Sequence, residues 1–128
     1  MNFTGSILLI DDEQHIRKYV GLILRQLGAP KILEAANGQE GVELYTRERP
    51  DLVLLDVNMP IMDGMETLKQ LKAIDPECVV VMLTSLTNRQ NVEAALALGA
   101  VNYIRKDTPK EEITQALTDT ITECFEVD

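Results

Sequence analysis

The feature that most constrains the fold is the run Leu52–Leu55, four apolar residues that lead directly into Asp56. Pro50 lies before the run and Pro60 lies after it. An apolar run of this length between turn residues predicts a strand buried on both faces, in the middle of a parallel sheet. Asp56 would lie at its carboxyl end, where open α/β sheets bind ligands. A carboxylate there is costly unless other groups compensate it, so we expect compensating groups elsewhere in the chain.

Strand and helix patterns alternate five times along the chain. Short apolar runs predict strands over residues 6–10, 31–35, 52–55, 78–83 and 101–104. Between and after them, apolar residues recur at three- and four-residue spacing, which predicts amphipathic helices. This alternation is typical of an α/β fold, with a parallel sheet and helices on both faces.

Three helix ends carry recognisable signals. Gly28 is predicted to end the first helix. Asn37, with Glu40 three residues later, fits the N-cap and capping-box partner of the second. Thr108 is predicted to cap the last helix, with Pro109 in its first helical position.

Composition limits the classes of function. The 128 residues suit one domain spanning 1–128, and 45% are hydrophobic. A net charge of −9 argues against nucleic acid or an anionic membrane as the main partner, and it suits a bound cation. The apolar run at residues 7–10 has no basic leader and is followed by two acids, so we expect neither a signal peptide nor membrane insertion, and a cytoplasmic protein.

Polar residues follow four of the predicted strands. The acids Asp11 and Asp12 follow the first, Asp56 the third, Thr84 the fourth and Lys106 the fifth. Each residue alone has an ordinary interpretation, such as capping a helix or forming a turn. Parallel strands end at one edge, however, so these residues should converge there. Crowded carboxylates repel one another unless a cation such as Mg²⁺ lies among them, and a lysine and a hydroxyl could bind phosphoryl oxygens.

These residues occur in motifs that resemble a known family. The segments 10–13 (Ile-Asp-Asp-Glu), 55–60 (Leu-Asp-Val-Asn-Met-Pro) with 63–64 (Asp-Gly), 83–85 (Leu-Thr-Ser) and 103–106 (Tyr-Ile-Arg-Lys) are similar to those of receiver domains of two-component response regulators. The resemblance covers nearly the whole chain. It implies a flavodoxin-like, doubly wound sheet with strand order 2-1-3-4-5.

The resemblance also implies roles. Asp56 would accept a phosphoryl group from a histidine kinase or phosphotransfer protein. Asp12, Asp56 and the backbone carbonyl of Asn58 would bind Mg²⁺, with Asp11 assisting through water. Thr84 and Lys106 would hold the phosphoryl oxygens. The chain would thus be a signalling receiver rather than an enzyme, although it would catalyse its own Mg²⁺-dependent phosphoryl transfer and dephosphorylation.

Transmission is expected to involve Thr84 and Tyr103. Thr84 would move toward the phosphoryl group, and Tyr103, at the aromatic switch position of the family, would turn from solvent into the space behind it. That movement would change the face formed by the fourth helix, fifth strand and fifth helix, where we expect a downstream protein to bind. A Tyr103 that is simply half-buried in its strand is the alternative.

One departure from the family concerns the residue after Lys106. Many receivers have a proline there, in a cis peptide, whereas this chain has Asp107. A cis bond before a residue other than proline costs roughly 2.5–4 kcal/mol, so we predict a trans bond.

Two other functions fit the same fold pattern. A pseudo-receiver would use the fold as a constitutive interaction module, but the intact acid, threonine and lysine set speaks against it. A flavodoxin-like flavin carrier would need a phosphate-binding loop after the first strand, where Asp11 and Asp12 would repel a phosphate. Within the receiver hypothesis, the chain could be a stand-alone regulator, a phosphorelay intermediate or part of a longer protein.

Overall fold

The computed structural model describes residues 2–28, 30–85 and 89–125, which form a parallel sheet enclosed by helices. The sheet order is β2-β1-β3-β4-β5, as predicted. In chain order the elements are β1 (Ser6–Ile10), α1 (Gln14–Arg25), β2 (Lys31–Ala35), α2 (Gly38–Glu48), β3 (Leu52–Leu55), α3 (Gly64–Ile74), β4 (Val79–Thr84), α4 (Arg89–Ala97), β5 (Asn102–Arg105) and α5 (Lys110–Cys124).

The sheet divides the apolar core into two halves, because successive strand residues point to opposite faces. In β1, Ile7 and Leu9 pack with α1 and α5, whereas Leu8 and Ile10 pack with α2, α3 and α4. All four residues of β3 are buried, as expected for a central strand covered on both faces.

The cap predicted for α2 is confirmed, since the Asn37 side chain accepts a hydrogen bond from the Glu40 N–H at 2.9 Å. The end predicted for α1 is wrong. The helix ends at Arg25, and the last turn tightens as the Leu27 N–H donates to the Leu24 carbonyl. Gly28 lies beyond it with φ of 137°, where a side chain would collide with the backbone of Phe3.

The N-cap predicted for α5 is also wrong. The N-cap residue is Pro109, whose carbonyl accepts from the N–H groups of Glu112 and Ile113. Thr108 is instead part of a turn in which its N–H donates to the Arg105 carbonyl at 3.2 Å. Pro109 has φ of −54° and ψ of 143°, which is extended rather than helical, so the helix begins one residue later than predicted. The predicted bounds of β4 and β5 are likewise one residue too early.

Candidate functional site at the carboxyl edge of the sheet

Backbone hydrogen bonds fix the positions of the three main charged residues. The N–H of Asp11 donates to Ala35 of β2, that of Asp56 to Ile10 of β1, and that of Lys106 to Thr84 of β4, all at 3.0–3.1 Å. Each residue therefore extends the sheet ladder by one step beyond its strand. The sheet itself brings these side chains to one edge, as the sequence predicted.

Lys106 lies among three carboxylates. Its Nζ atom is 2.6 Å from Asp11 Oδ2, 3.2 Å from Asp56 Oδ2 and 3.3 Å from Glu13 Oε1. The side chains of Lys106 and Asp11 are each 9% exposed, and that of Asp56 is 3% exposed. Sequence reasoning missed Glu13, although it lies within the quoted motif, because its contact with Lys106 joins residues that are 93 positions apart.

The pKa values of this group reflect burial and charge together. Burial raises the pKa of Asp11, against the lowering effects of the Lys106 ammonium and the Glu13 N–H. Burial alone would lower the pKa of Lys106, but its contacts with Asp11 and Asp56 outweigh burial and raise it. The lysine therefore stays charged and acts as the counter-ion of the buried acids.

One oxygen of Asp56 has no hydrogen-bond partner among the described residues. This atom is Oδ1, and it is buried. A buried carboxylate oxygen that lacks a partner is destabilising unless a ligand completes its environment. The unpaired oxygen therefore indicates that the site is built to bind something at Asp56.

The chemistry of the surrounding donors fits a hard cation. Asp11, Asp12, Glu13 and Asp56 each offer a carboxylate oxygen, and these oxygens all lie within 4.8 Å of one another. Asp12 is exposed and Asp56 is buried, so the cluster is open on one side. Mg²⁺ prefers such oxygen ligands and retains several waters, which an open cluster permits.

The Arg17 guanidinium holds the backbone of Asp11 in place. Arg17 of α1 donates from Nη1 to the backbone carbonyl of Asp11 at 2.6 Å, and its Nε donates to Glu34 of β2 at 2.9 Å. Sequence reasoning did not find this residue either. The two bonds tie α1 to β2 and fix the Asp11 backbone.

The loop after β3 packs tightly against Asp56. Gly64 begins α3, and its N–H donates to the Val57 carbonyl at 2.8 Å; a side chain at Gly64 would meet the Asp56 carbonyl. In the same loop the Met62 N–H donates to the Pro60 carbonyl at 2.7 Å, which places Ile61 in the centre of a three-residue turn. Ile61 has φ of 71° and is 81% exposed, a strained conformation for a β-branched residue.

The remaining predicted residues lie around this centre. Thr84 is fully buried at the end of β4, and Asn58 is exposed in the loop after β3. Tyr103 is half-buried and packs against the core on the α2, α3 and α4 side. Burial and the negative charge of Asp56 raise the pKa of the Tyr103 phenol. The expectation that Tyr103 turns from solvent to buried stays a prediction, since in this structure the side chain is partly exposed and partly packed on that core.

The loop after β5 contains the predicted departure. No peptide bond of the described residues is cis, which confirms the trans bond between Lys106 and Asp107. Asp107 forms two hydrogen bonds with the Arg105 guanidinium, at 2.9 and 2.7 Å, and both side chains are exposed. Arg105 and Asp107 thus point to solvent while Lys106 between them points inward.

Within the described ranges, no helix is both long and apolar enough to cross a membrane.

Comparisons with known proteins agree with this geometry. The family model described as "Response regulator receiver domain" matches residues 7–118. Sporulation initiation phosphotransferase F of Bacillus subtilis is 36% identical over 112 residues, covering 88% of this chain and 90% of that protein. Chemotaxis protein CheY of Halobacterium salinarum is 35% identical over 117 residues, covering 91% and 97%.

Solved structures show the same fold. CheY4 of Vibrio cholerae superposes with a TM-score of 0.82 at 28% identity, covering 92% of this chain and 99% of that one. A complex of CheX and CheY with BeF₃ and Mg²⁺ from Borrelia burgdorferi gives a TM-score of 0.87 at 29% identity, covering 91% and 89%. Together with the acids and lysine at the carboxyl edge, these matches show that the chain belongs to the receiver domains of two-component response regulators, the family of phosphorylation-dependent signalling proteins.

Proposed function

We propose that this chain is a phosphorylation switch in which Asp56 accepts the phosphoryl group from a histidine kinase or phosphotransfer protein. The observation that carries the proposal is the buried Oδ1 atom of Asp56, which has no hydrogen-bond partner among the described residues, while Oδ2 of the same carboxylate lies 3.2 Å from Lys106 Nζ. A carboxylate oxygen can act as a nucleophile that forms a covalent intermediate. The oxygen would form a bond to phosphorus as the bond to the donor's histidine nitrogen breaks, and the leaving imidazole would take up a proton.

The other site residues would act on the charge of the phosphoryl group. Lys106 supplies a point charge for one of its oxygens, and the Thr84 hydroxyl can donate a hydrogen bond to another. The same groups would serve the loss of the phosphoryl group to water, so we propose that the receiver catalyses both reactions on itself.

The acids would bind Mg²⁺. Asp12, Asp56 and the Asn58 carbonyl would be its ligands, with Asp11 acting through water. When bound, the ion would neutralise the negative charge that the phosphoryl group brings to the carboxylates. The four convergent carboxylate oxygens support this assignment, as do the BeF₃ and Mg²⁺ named in the solved CheX–CheY complex.

Labelling with acetyl phosphate and Mg²⁺ tests the assignment of Asp56. We expect mass spectrometry to detect one added phosphoryl group on the protein, located at Asp56, and none on Asp56→Asn. Asp119→Asn, which changes an exposed aspartate on α5, is the matched control and should label like the original protein. Equal labelling of Asp56→Asn would overturn the assignment, and no labelling of any variant would favour a pseudo-receiver.

We propose that the signal leaves the site through Thr84 and Tyr103. Thr84 ends β4, and Tyr103 lies on the adjacent strand, paired in register with Met82. Because Tyr103 is already half-buried, the change at this side chain would be a deeper insertion rather than a complete turn from solvent. The face formed by α4, β5 and α5 would change with it and regulate binding of a downstream protein.

Beryllofluoride with Mg²⁺ can replace the phosphoryl group in a test of this route. We expect NMR shifts at Tyr103 and along α4 that are absent from Asp56→Asn. Unchanged spectra for both elements would contradict the route while leaving the phosphorylation of Asp56 intact. A cytoplasmic location, one domain over 1–128 and no direct nucleic-acid partner are part of the same proposal, supported by the family match and the net charge of −9.

A further inference from the structure

Lys106 contacts the same carboxylates that a cation would approach in this site. Lys106 Nζ now contacts Asp11 and Asp56, at 2.6 and 3.2 Å, which are the same carboxylates that a cation would approach. Two positive charges at such distances repel strongly in a buried site. A cation that enters would therefore weaken the contacts of Lys106 with these two acids.

The third carboxylate of Lys106 differs from the other two. Glu13 Oε1 is 3.3 Å from Nζ, and the Glu13 side chain is 46% exposed, against 9% for Asp11. Glu13 is also the N-cap residue of α1, yet its side chain makes no capping hydrogen bond. Its other oxygen is 3.7 Å from Nε2 of the exposed His15. The carboxylate is thus within reach of Lys106 without being committed to the helix.

We propose that Glu13 is a positioning residue that retains the Lys106 ammonium at the rim of the site when Mg²⁺ binds to the buried acids. This inference rests on the proposed function, because it assumes that the cation binds at Asp56, whose buried Oδ1 has no partner among the described residues. Glu13 reduces the repulsion between Lys106 and Mg²⁺ by giving the lysine a partner apart from the two acids that the cation approaches. It also keeps the lysine close enough to meet the phosphoryl group.

A double-mutant cycle on Mg²⁺ affinity tests the inference. Titration calorimetry with Mg²⁺ alone is carried out on the original protein, Glu13→Gln, Lys106→Met and the double variant. We expect Glu13→Gln to weaken Mg²⁺ binding by about threefold, the size of effect given by a partly exposed ion pair. In the Lys106→Met background the same change should have less than about half of that effect on a logarithmic scale, because the lysine is absent.

Glu43→Gln is the matched control, since it removes one negative charge from an exposed position on α2. It should leave the affinity unchanged. Equal weakening by Glu13→Gln with and without Lys106 would show that Glu13 acts on the cation directly. No weakening by Glu13→Gln in the protein that retains Lys106 would show that Glu13 has no role. Either result overturns the proposal. If the original protein binds no Mg²⁺, the proposed cation site itself fails, which is a distinguishable outcome.

A second measurement does not require a Lys106 variant, which removes a buried charge and could fail to fold. The ammonium NMR signal of Lys106 is followed while Mg²⁺ is added. We expect the signal to persist at saturating Mg²⁺ in the original protein and to disappear in Glu13→Gln, because an ammonium held by a carboxylate exchanges its protons more slowly. The same behaviour in both proteins would overturn the proposal.

Discussion

The two edges of the sheet differ in how their polar groups are matched. At the amino edge, the Asp51 carboxylate accepts from the Ser6 N–H at 2.8 Å, and the Tyr45 hydroxyl donates to Asp75 at 3.0 Å. Phe3 closes this edge, with its backbone bridged to Gly28 and its ring in contact with that of Phe125. These polar groups have partners, and the Phe3 side chain is buried.

The carboxyl edge has an excess of acid over base. One lysine serves three carboxylates, a buried Asp56 oxygen has no partner within the described part of the chain, and the adjacent loop has a strained isoleucine at Ile61. The same sheet therefore has one edge that contributes stability and one that gives up stability for binding. Strain and unsatisfied groups concentrate at functional sites for this reason.

The largest effect on stability should come from removing the counter-ion. Lys106→Met leaves Asp11 and Asp56 buried without a cation, and we expect the free energy of unfolding in Mg²⁺-free buffer to fall by about 3–5 kcal/mol. Urea denaturation measures the change. Added Mg²⁺ should restore part of the loss, whereas an unchanged stability would show that the lysine does not compensate the acids.

The pH dependence of stability shows when Lys106 contributes to the free energy of unfolding. In the folded protein the pKa of Lys106 lies above its ordinary value of 10.5, because burial is outweighed by the contacts with Asp11 and Asp56. Its contribution is therefore complete below pH 10.5 and is lost as the pH rises through the higher pKa of the folded state. The difference in stability between the original protein and Lys106→Met should shrink over that alkaline range.

At the amino edge, Phe3→Ala should lower the free energy of unfolding by about 3 kcal/mol, because it empties a site in which the side chain is 4% exposed. Below the unfolding transition, labelling of Asp56 should proceed at its usual rate. Leu22→Ala on α1, where the side chain is 63% exposed, is the control and should change stability by less than about 0.5 kcal/mol. Slower labelling of folded Phe3→Ala would show that the two edges are coupled.

Mg²⁺ should stabilise the original protein by about 2.7 kcal/mol at a hundredfold excess over its Kd, since it binds the folded state and relieves repulsion among the acids. Thermal unfolding with and without Mg²⁺ measures the gain. Asp12→Ala should reduce the gain and slightly stabilise the metal-free protein. An unchanged melting temperature would count against the cation site.

The smallest effect should come from the strained loop. Ile61→Gly should raise the free energy of unfolding by about 0.5–1 kcal/mol, because glycine adopts positive φ without the cost that a β-carbon imposes. Ile61→Val keeps the branched β-carbon and should give no gain. A loss of stability in the glycine variant would show that the Ile61 side chain contributes more than its 81% exposure indicates.

Sequence alone was sufficient for the sheet and for the convergence of Asp11, Asp56 and Lys106, because both follow from local patterns and from the geometry of parallel strands. The side-chain partners were not predictable in the same way. The contact of Glu13 with Lys106 and the support of Asp11 by Arg17 depend on distances across the folded molecule. The half-buried state of Tyr103 likewise depends on packing against residues from other elements.

Local backbone details were also beyond the sequence patterns. Nothing in the residues around Ile61 indicates positive φ, and the shift of the α5 cap from Thr108 to Pro109 reflects competition between a turn and a helix start. Such choices differ by a few tenths to one or two kcal/mol, and the surrounding structure decides them.

The division of the core by the sheet places the residues that adjoin the site in two separate halves. Tyr103 packs into the half that contains α2, α3 and α4, whereas Lys106 leads into α5, whose Ile113 and Leu117 belong to the other half. A change at Asp56 would therefore reach Tyr103 and α5 through two sets of packed side chains that lie on opposite faces of the sheet. Variants that disturb the packing of one half while preserving the other would show which half carries the response.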